Sequence, residues 1–204
     1  SYVQTKIARY ATDEINKSYG TDINSDEVAI TVFGGVKLKK VFIRDHHKDT
    51  LIYANRIQTN ILGFKNVLNN KLLFGDLTAD GFFLNIKNYK NEPHTSLDLF
   101  IEAFDDGKPS SGKFLLKAKT LTLKNSRFAM TDYNRESPKD VDFTKLNAQI
   151  KDFKVQGPNV YAAIKKMSFQ DHRGLFVKNL TSDFTYTKKN IRLEKLTVET
   201  KESF

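Results

Sequence analysis

The sequence predicts a mainly β protein: an elongated, curled antiparallel β-sheet led by an amphipathic helix, with one further short helix. Three observations lead there. Apolar and polar residues alternate in one short run after another. Turn residues break these runs at intervals of about 8–12 residues, the spacing of an all-β array. Helical periodicity occurs only in residues 1–20 and again near Thr95–Phe104. The 204-residue chain is 39% hydrophobic and 28% charged, with 16 Phe, 8 Tyr and no Trp. That composition suits a sheet with one greasy and one wet face.

The opening helix comes first. Val3, Ile7, Ala11 and Ile15 recur every four residues, and Tyr10, Glu14 and Tyr19 flank the stripe. Gly20 stands where a helix end favours positive φ. Glu27–Phe33 then alternates with period two, Gly34-Gly35 signals a hairpin, and Val36–Ile43 continues the sheet with a bulge at Lys39-Lys40. Arg44–Asp49 is a polar loop and Thr50–Leu62 a strand; Phe64–Asn70 fits a short helical turn, ended by Asn69-Asn70. Lys71–Ala79 and Phe82–Tyr89 read as two strands joined by a turn at Asp80-Gly81. Thr95 or Ser96 caps the second helix, whose apolar face is Leu97, Phe100, Ile101 and Phe104. Asp105–Gly112 is a loop. Strands follow at Lys113–Lys124, Ser126–Tyr133, Val141–Ile150, Asp152–Val155, Val160–Phe169, Gly174–Leu180, Ser182–Thr187 and Ile191–Thr200.

A loose repeat runs through this pattern. Leu77-Thr-Ala-Asp-Gly-Phe-Phe-Leu, Leu121-Thr-Leu-Lys-Asn-Ser-Arg-Phe and Leu180-Thr-Ser-Asp-Phe-Thr-Tyr share an apolar-Thr opening, a polar break and an aromatic. Repeated β units without sharp boundaries predict an open array growing along one axis; a closed sandwich or barrel is the rival. Residues 1–20 are expected to cap this array and residues 21–204 to form one continuous β segment.

Residue chemistry narrows the function. Absence of Cys rules out a disulfide, a thiol nucleophile and a thiolate metal site. No apolar run reaches the roughly 18 residues needed to span a bilayer. The net charge of +9 comes mostly from Lys residues that alternate with apolar ones along strands, opposite the aromatics. Nucleic-acid binders place exposed aromatics on the basic face, so the charge reads as a solvated outer face and no nucleic-acid partner is expected. His46-His47 with Asp45 and Asp49 is a dense set of ligand types, yet a metal site needs a third and fourth ligand at set geometry, so no metal is expected. Ser168, Asp171 and His172 lack a nucleophile-elbow context, and no catalytic residue or enzyme activity is assigned.

The apolar side carries more. Val28, Ile30, Val32, Leu84, Ile86, Leu121, Leu123, Phe128, Ile150, Phe153, Ile164, Phe184 and Leu193 are candidates to line one long face. Two helices are too few to cover it, so the sheet must fold over on itself. Full closure makes a core; partial curling makes a groove able to hold acyl chains.

The opening Val3-Gln4-Thr5-Lys6-Ile7-Ala8-Arg9-Tyr10-Ala11-Thr12, then Ile15-Asn16 and Tyr19-Gly20-Thr21-Asp22-Ile23, resembles the start of the AsmA-like/TamB family of Gram-negative bacteria. The strand–Gly–strand at Val28–Ile43 is similar too, and Thr95–Ile101 and Lys145–Ala148 resemble the Bacteroidota branch. The resemblance covers essentially the whole chain. It implies a fragment of a longer periplasmic protein, anchored to the inner membrane by a helix missing here. It implies a taco-like β-groove that carries phospholipid toward the outer membrane, with a TamA-like barrel partner contacted through a missing C-terminal region. The helix stripe Val3, Ile7, Ala11 and Ile15 would then plug the membrane-proximal end. No cofactor is expected. The alternative reading is a scaffold or interaction module for outer-membrane protein assembly that binds no lipid.

Overall fold

In the computed structural model the described residues are 2–30, 35–61, 71–105 and 114–201, with side chains described for all of these but 2–8, 11, 27, 28, 30, 61, 139 and 140. Helix α1 (Tyr2–Tyr19) leads into β1 (Ile23–Ile30), β2 (Gly35–Arg44), β3 (Thr50–Ile61), β4 (Lys71–Asp80) and β5 (Phe83–Asn88). Helix α2 (Ser96–Glu102) precedes β6 (Leu115–Asp132), β7 (Lys139–Gln156), β8 (Asn159–Asp171), β9 (Phe176–Tyr186) and β10 (Ile191–Thr200). The described strands form one ten-stranded sheet, ordered β1-β2-β3-β4-β6-β7-β8-β9-β10, with β5 pairing β3 and β6. The expected mainly β fold with two helices is what forms. The expected turn at Phe64–Asn70, most of the loop at Asp105–Gly112, and Val32 lie outside the described residues.

Local chemistry sets the ends of both helices. Gly20 adopts φ +64° and stops α1. The Asn16 amide then ties the helix to the sheet: Nδ2 donates to Ile23 O at 2.9 Å and Oδ1 accepts from Ile23 N at 2.9 Å. Thr95 caps α2, its hydroxyl accepting from Asp98 N while the Asp98 carboxylate accepts from Thr95 N.

The sheet departs from the sequence reading in two ways. First, it is mixed. Strands β4 and β5 do not form a hairpin; both pair in parallel with β6, Leu77 beside Leu121 and Leu84 beside Phe128. They are one strand interrupted at Gly81-Phe82, and the chain returns to β6 through the α2 crossover that parallel pairing requires. The two repeat copies Leu77–Leu84 and Leu121–Phe128 therefore lie side by side, in register. Second, β6, β7 and β9 run through the breaks expected at Asn125, Lys151 and Thr181. A bulge interrupts alternation just as a turn does, which is why the pattern looked cut.

These interruptions line up. Lys40 lies opposite Asn55, Asn55 opposite Gly81, and Gly81 beside Asn125, which meets β7 next to Lys145. Four of these five are left-handed, with φ of +49° at Lys40, +62° at Gly81, +48° at Asn125 and +50° at Lys145. At Lys40 the register is the same on both sides, so the expected bulge is a kink without an inserted residue. A second interrupted row crosses β7 to β10 at Asp152 and Lys195, both with φ +52°.

The rows act as creases. Ile23 lies in one cross-sheet row with Ile43, Ile52, Leu84 and Phe128. Phe114 stands fourteen residues before Phe128, about 46 Å away along a straight strand at ~3.3 Å per residue. Yet Tyr19, close to Ile23 in sequence, meets Phe114 edge to face at 5.7 Å and Phe104 at 5.0 Å. The few residues between them reach about 14 Å at most. A flat sheet cannot bring these rings together, so the sheet curls, bending where left-handed residues break its ladders. Gly81 is the tightest of the described left-handed glycines: an added Cβ would stand 2.9 Å from Asn55 Cβ. Gly81→Val is expected to cost about 1–3 kcal/mol or more, since a left-handed, β-branched residue adds to the clash. Urea unfolding followed by circular dichroism measures it, and unchanged stability would remove the crease from the account.

Candidate functional site

The curl gives the sheet an inside. One cross-strand row reads Leu77, Leu121, Ile150, Ile164 and the next reads Lys37, Gln58, Thr78, Thr122, Gln149, Lys166. Residues directly opposed across strands share a face, so one face is aliphatic and the other polar. A cluster of Leu121, Leu146, Ala148, Ile150, Phe169 and Val177, each no more than 8% exposed, forms the centre. Leu77, Leu123, Phe128, Phe143, Phe153, Ala162, Ile164, Met167 and Leu180 pack around it. Beyond the first crease, Phe128 and Phe143 lie 5.9 Å apart and Phe143 stacks on Phe169 at 4.1 Å.

Six of the thirteen predicted lining residues, Leu121, Leu123, Phe128, Ile150, Phe153 and Ile164, belong to this one assembly. Leu84 is beside Phe128, and the buried Ile86 is beside Met130. Phe184 pairs with both Ala162 and Leu193, which places all three on the same face. Val28 and Ile30 belong to β1, but their side chains, and those of Val3, Ile7 and Ala11 in α1, lie outside the described set. Ile15 is half-buried. The described packing of α1 is carried instead by Tyr19, which flanks the predicted stripe.

Exposure along this face is graded. It is buried from β6 into β9, where Val177 is 3% exposed, and opens at β10, where Leu193 is 50% and Val198 51% exposed. Val198 pairs with Leu180 of the central assembly, so it continues the same face. Lateral opening at β10 was not legible from alternation, because every strand alternates in the same way.

Helix α2 lies over the inside. Tyr186, two residues from Phe184 on a regular stretch of β9, shares its face. Its hydroxyl donates to the Asp98 carboxylate. Burial alone would raise the Asp98 carboxyl, but hydrogen bonds from Tyr186 and Thr95 outweigh it and hold the group below its ordinary value. Burial and the facing carboxylate push the Tyr186 phenol up. Lys188 pairs with Asp105 just beyond α2. Phe104, Phe114 and Tyr19 complete an aromatic group at this end.

A second, polar constellation sits at the other end, on the β2–β3 loop. Asp45, 4% exposed, accepts from His47 N at 2.8 Å and Asp49 N at 3.1 Å through Oδ1. The Tyr89 hydroxyl is 2.7 Å from both Asp45 Oδ2 and Asp49 Oδ2. Sequence reading had the two histidines but not their partner: Glu92, on the β5–α2 connection, lies against both. Asp171 pairs with His172 Nδ1 at 2.9 Å and Arg173 Nε at 2.6 Å, and no described hydrogen bond joins Ser168 to them. The polar face has shallow hollows; one of about 290 Å³ is lined by Ala29, Lys37, Lys39, Arg56 and Gln58.

Among the described residues no helix is long and apolar enough to cross a membrane. No protein-family model matches the chain, and no curated protein matches it.

Two outcomes follow from this site. Ile150→Ala should cost about 2–4 kcal/mol, as a buried aliphatic truncation, whereas Leu193→Asp should change stability by less than about 0.5 kcal/mol because Leu193 stands in solvent. Chemical denaturation of both variants reads the difference directly. Tyr186→Phe should lose about 1–2 kcal/mol at pH 7. The depressed Asp98 pKa means its contribution is present above the unfolded value and lost as pH falls through the folded one, so the variant's deficit should shrink in acid. A deficit independent of pH would show that Asp98 is not its acceptor.

Proposed function

We propose that this chain is a lipid-conduit segment: the inside of the curled sheet solvates acyl chains, and phospholipid is the ligand. The observation that carries the reading is the graded apolar face, closed from β6 into β9 and open at β10. An acyl chain gains about 0.8 kcal/mol per methylene removed from water, so a face that is apolar but incompletely covered is a favourable surface for it. The Lys residues of the polar face would meet head groups at the open edge. In this proposal the chain is the membrane-proximal periplasmic part of an AsmA-like/TamB protein, which would bridge inner and outer membranes and support outer-membrane biogenesis. The inner-membrane anchor and the contact with a TamA-like barrel would lie in other parts of such a protein. The reading assigns no enzymatic step.

The tight central cluster favours a second reading, a scaffold module for outer-membrane protein assembly whose apolar interior holds only side chains. Mass spectrometry of organic extracts of the purified chain separates the two. Co-purified phospholipid, reduced several-fold by Leu193→Asp together with Val198→Asp in a variant that still folds, is the expected result. Lipid-free protein that also fails to photo-crosslink to an acyl-diazirine phospholipid would overturn the conduit and leave the scaffold.

A further inference from the structure

The β2–β3 loop and the β5–α2 connection bring three metal-ligand side chains to one point. His46 Nε2 lies 2.6 Å from Glu92 Oε2, and His47 Nε2 lies 2.5 Å from Glu92 Oε1. The donor atoms of all three residues fall within 4.8 Å of one another. We propose that His46, His47 and Glu92 form a divalent transition-metal site, independent of the lipid face.

The donor set decides the class of ion. Two imidazole nitrogens and one carboxylate oxygen are the ligands of three-residue zinc sites that keep a fourth position for water. Imidazole suits zinc, cobalt, nickel and copper, whereas calcium and magnesium require mostly oxygen. The arrangement is also supported from behind. Tyr89 stacks on the His47 ring at 3.7 Å and meets His46 edge-on at 5.4 Å. Tyr89 is held in turn by Asp45 and Asp49, and Asp45 fixes the loop backbone that carries His47. Lys87 Nζ reaches Asp49 at 3.0 Å. Ring contacts with a Tyr89 that is itself hydrogen-bonded restrict how the two imidazoles can turn.

Little has to move. The carboxylate now bridges the two imidazoles, so an ion entering between them must open each N···O contact by about 0.8 Å to reach ligand distances near 2.0–2.1 Å. Each imidazole then presents its Nε2 lone pair to the ion and carries its proton on Nδ1, any surplus proton passing to water. The ion would clamp together two connections 46 residues apart in the chain, outside every strand ladder of the sheet.

The test titrates the tag-free chain with cobalt(II) and zinc(II). One equivalent should bind, cobalt giving the intense visible bands of a four-coordinate site that zinc then bleaches. His47→Ala and Glu92→Gln should each weaken binding at least ~10-fold while circular dichroism stays unchanged. Binding that survives both substitutions, or no stoichiometric binding of either ion at micromolar concentration, would overturn the site. Should either variant misfold, His46→Gln, on a solvent-exposed ring, gives the same readout.

Discussion

A single-layered sheet has no second layer to cover its apolar face, and everything else in this chain answers to that constraint. The two helices cover only part of the face, and the rest is hidden by bending the sheet over it. Hydrogen-bonded ladders resist bending, so the chain interrupts them where the bend must fall. Left-handed Lys40, Gly81, Asn125 and Lys145 occupy one row across the sheet, and Asp152 and Lys195 mark another. Each non-glycine residue there carries a backbone cost of order 1 kcal/mol. Burying the Leu121–Ile150–Phe169 cluster, at about 1.5–3 kcal/mol per large side chain, outweighs it.

Contacts across the bend hold the shape. At one end Tyr19, Phe104 and Phe114 bring the leading helix, the crossover helix and the start of β6 together. Tyr186 and Lys188 fasten the same crossover to β9. The exposed ion pairs contribute little by themselves; the aromatic contacts and the hydrogen bond to ionised Asp98 carry more. On the polar face Arg127 clamps β6 to β7, with Nε and Nη2 each 2.8 Å from the Asp142 carboxylate. Among the described residues the apolar face emerges into solvent only beyond β9, on β10. Curl and incomplete cover together make the interior a groove in the proposed reading.

Much of this was legible in the residues. Period-two alternation marked nearly every strand, Gly20 marked the end of α1, and Thr95-Ser96 marked the start of α2. Most of the described lining candidates meet because alternation assigns faces wherever a ladder is regular. Reading failed where the ladder is irregular: Asp80-Gly81 has the chemistry of a hairpin turn but sits in a crease, and Asn125 and Asp152 mimic strand ends. The parallel junction had left a trace, since the repeat at Leu77 and Leu121 is the register of β4–β5 against β6. Its meaning required knowing that the two copies run the same way. Glu92 could not be assigned to His46 and His47 from spacing, because only the folded sheet brings β5 beside β3 and sets the two connections together.

The central claim is the curl, and the absence of cysteine makes it directly measurable. Spin labels at Ser18→Cys and Lys189→Cys, both exposed positions, report the distance across the bend by double electron–electron resonance. The curled sheet predicts about 20–30 Å, because Tyr19 meets Phe104 while Lys188 meets Asp105. A flat sheet, at ~3.3 Å per residue and ~4.8 Å per strand, would hold the labels more than about 40 Å apart, and that result would contradict the account.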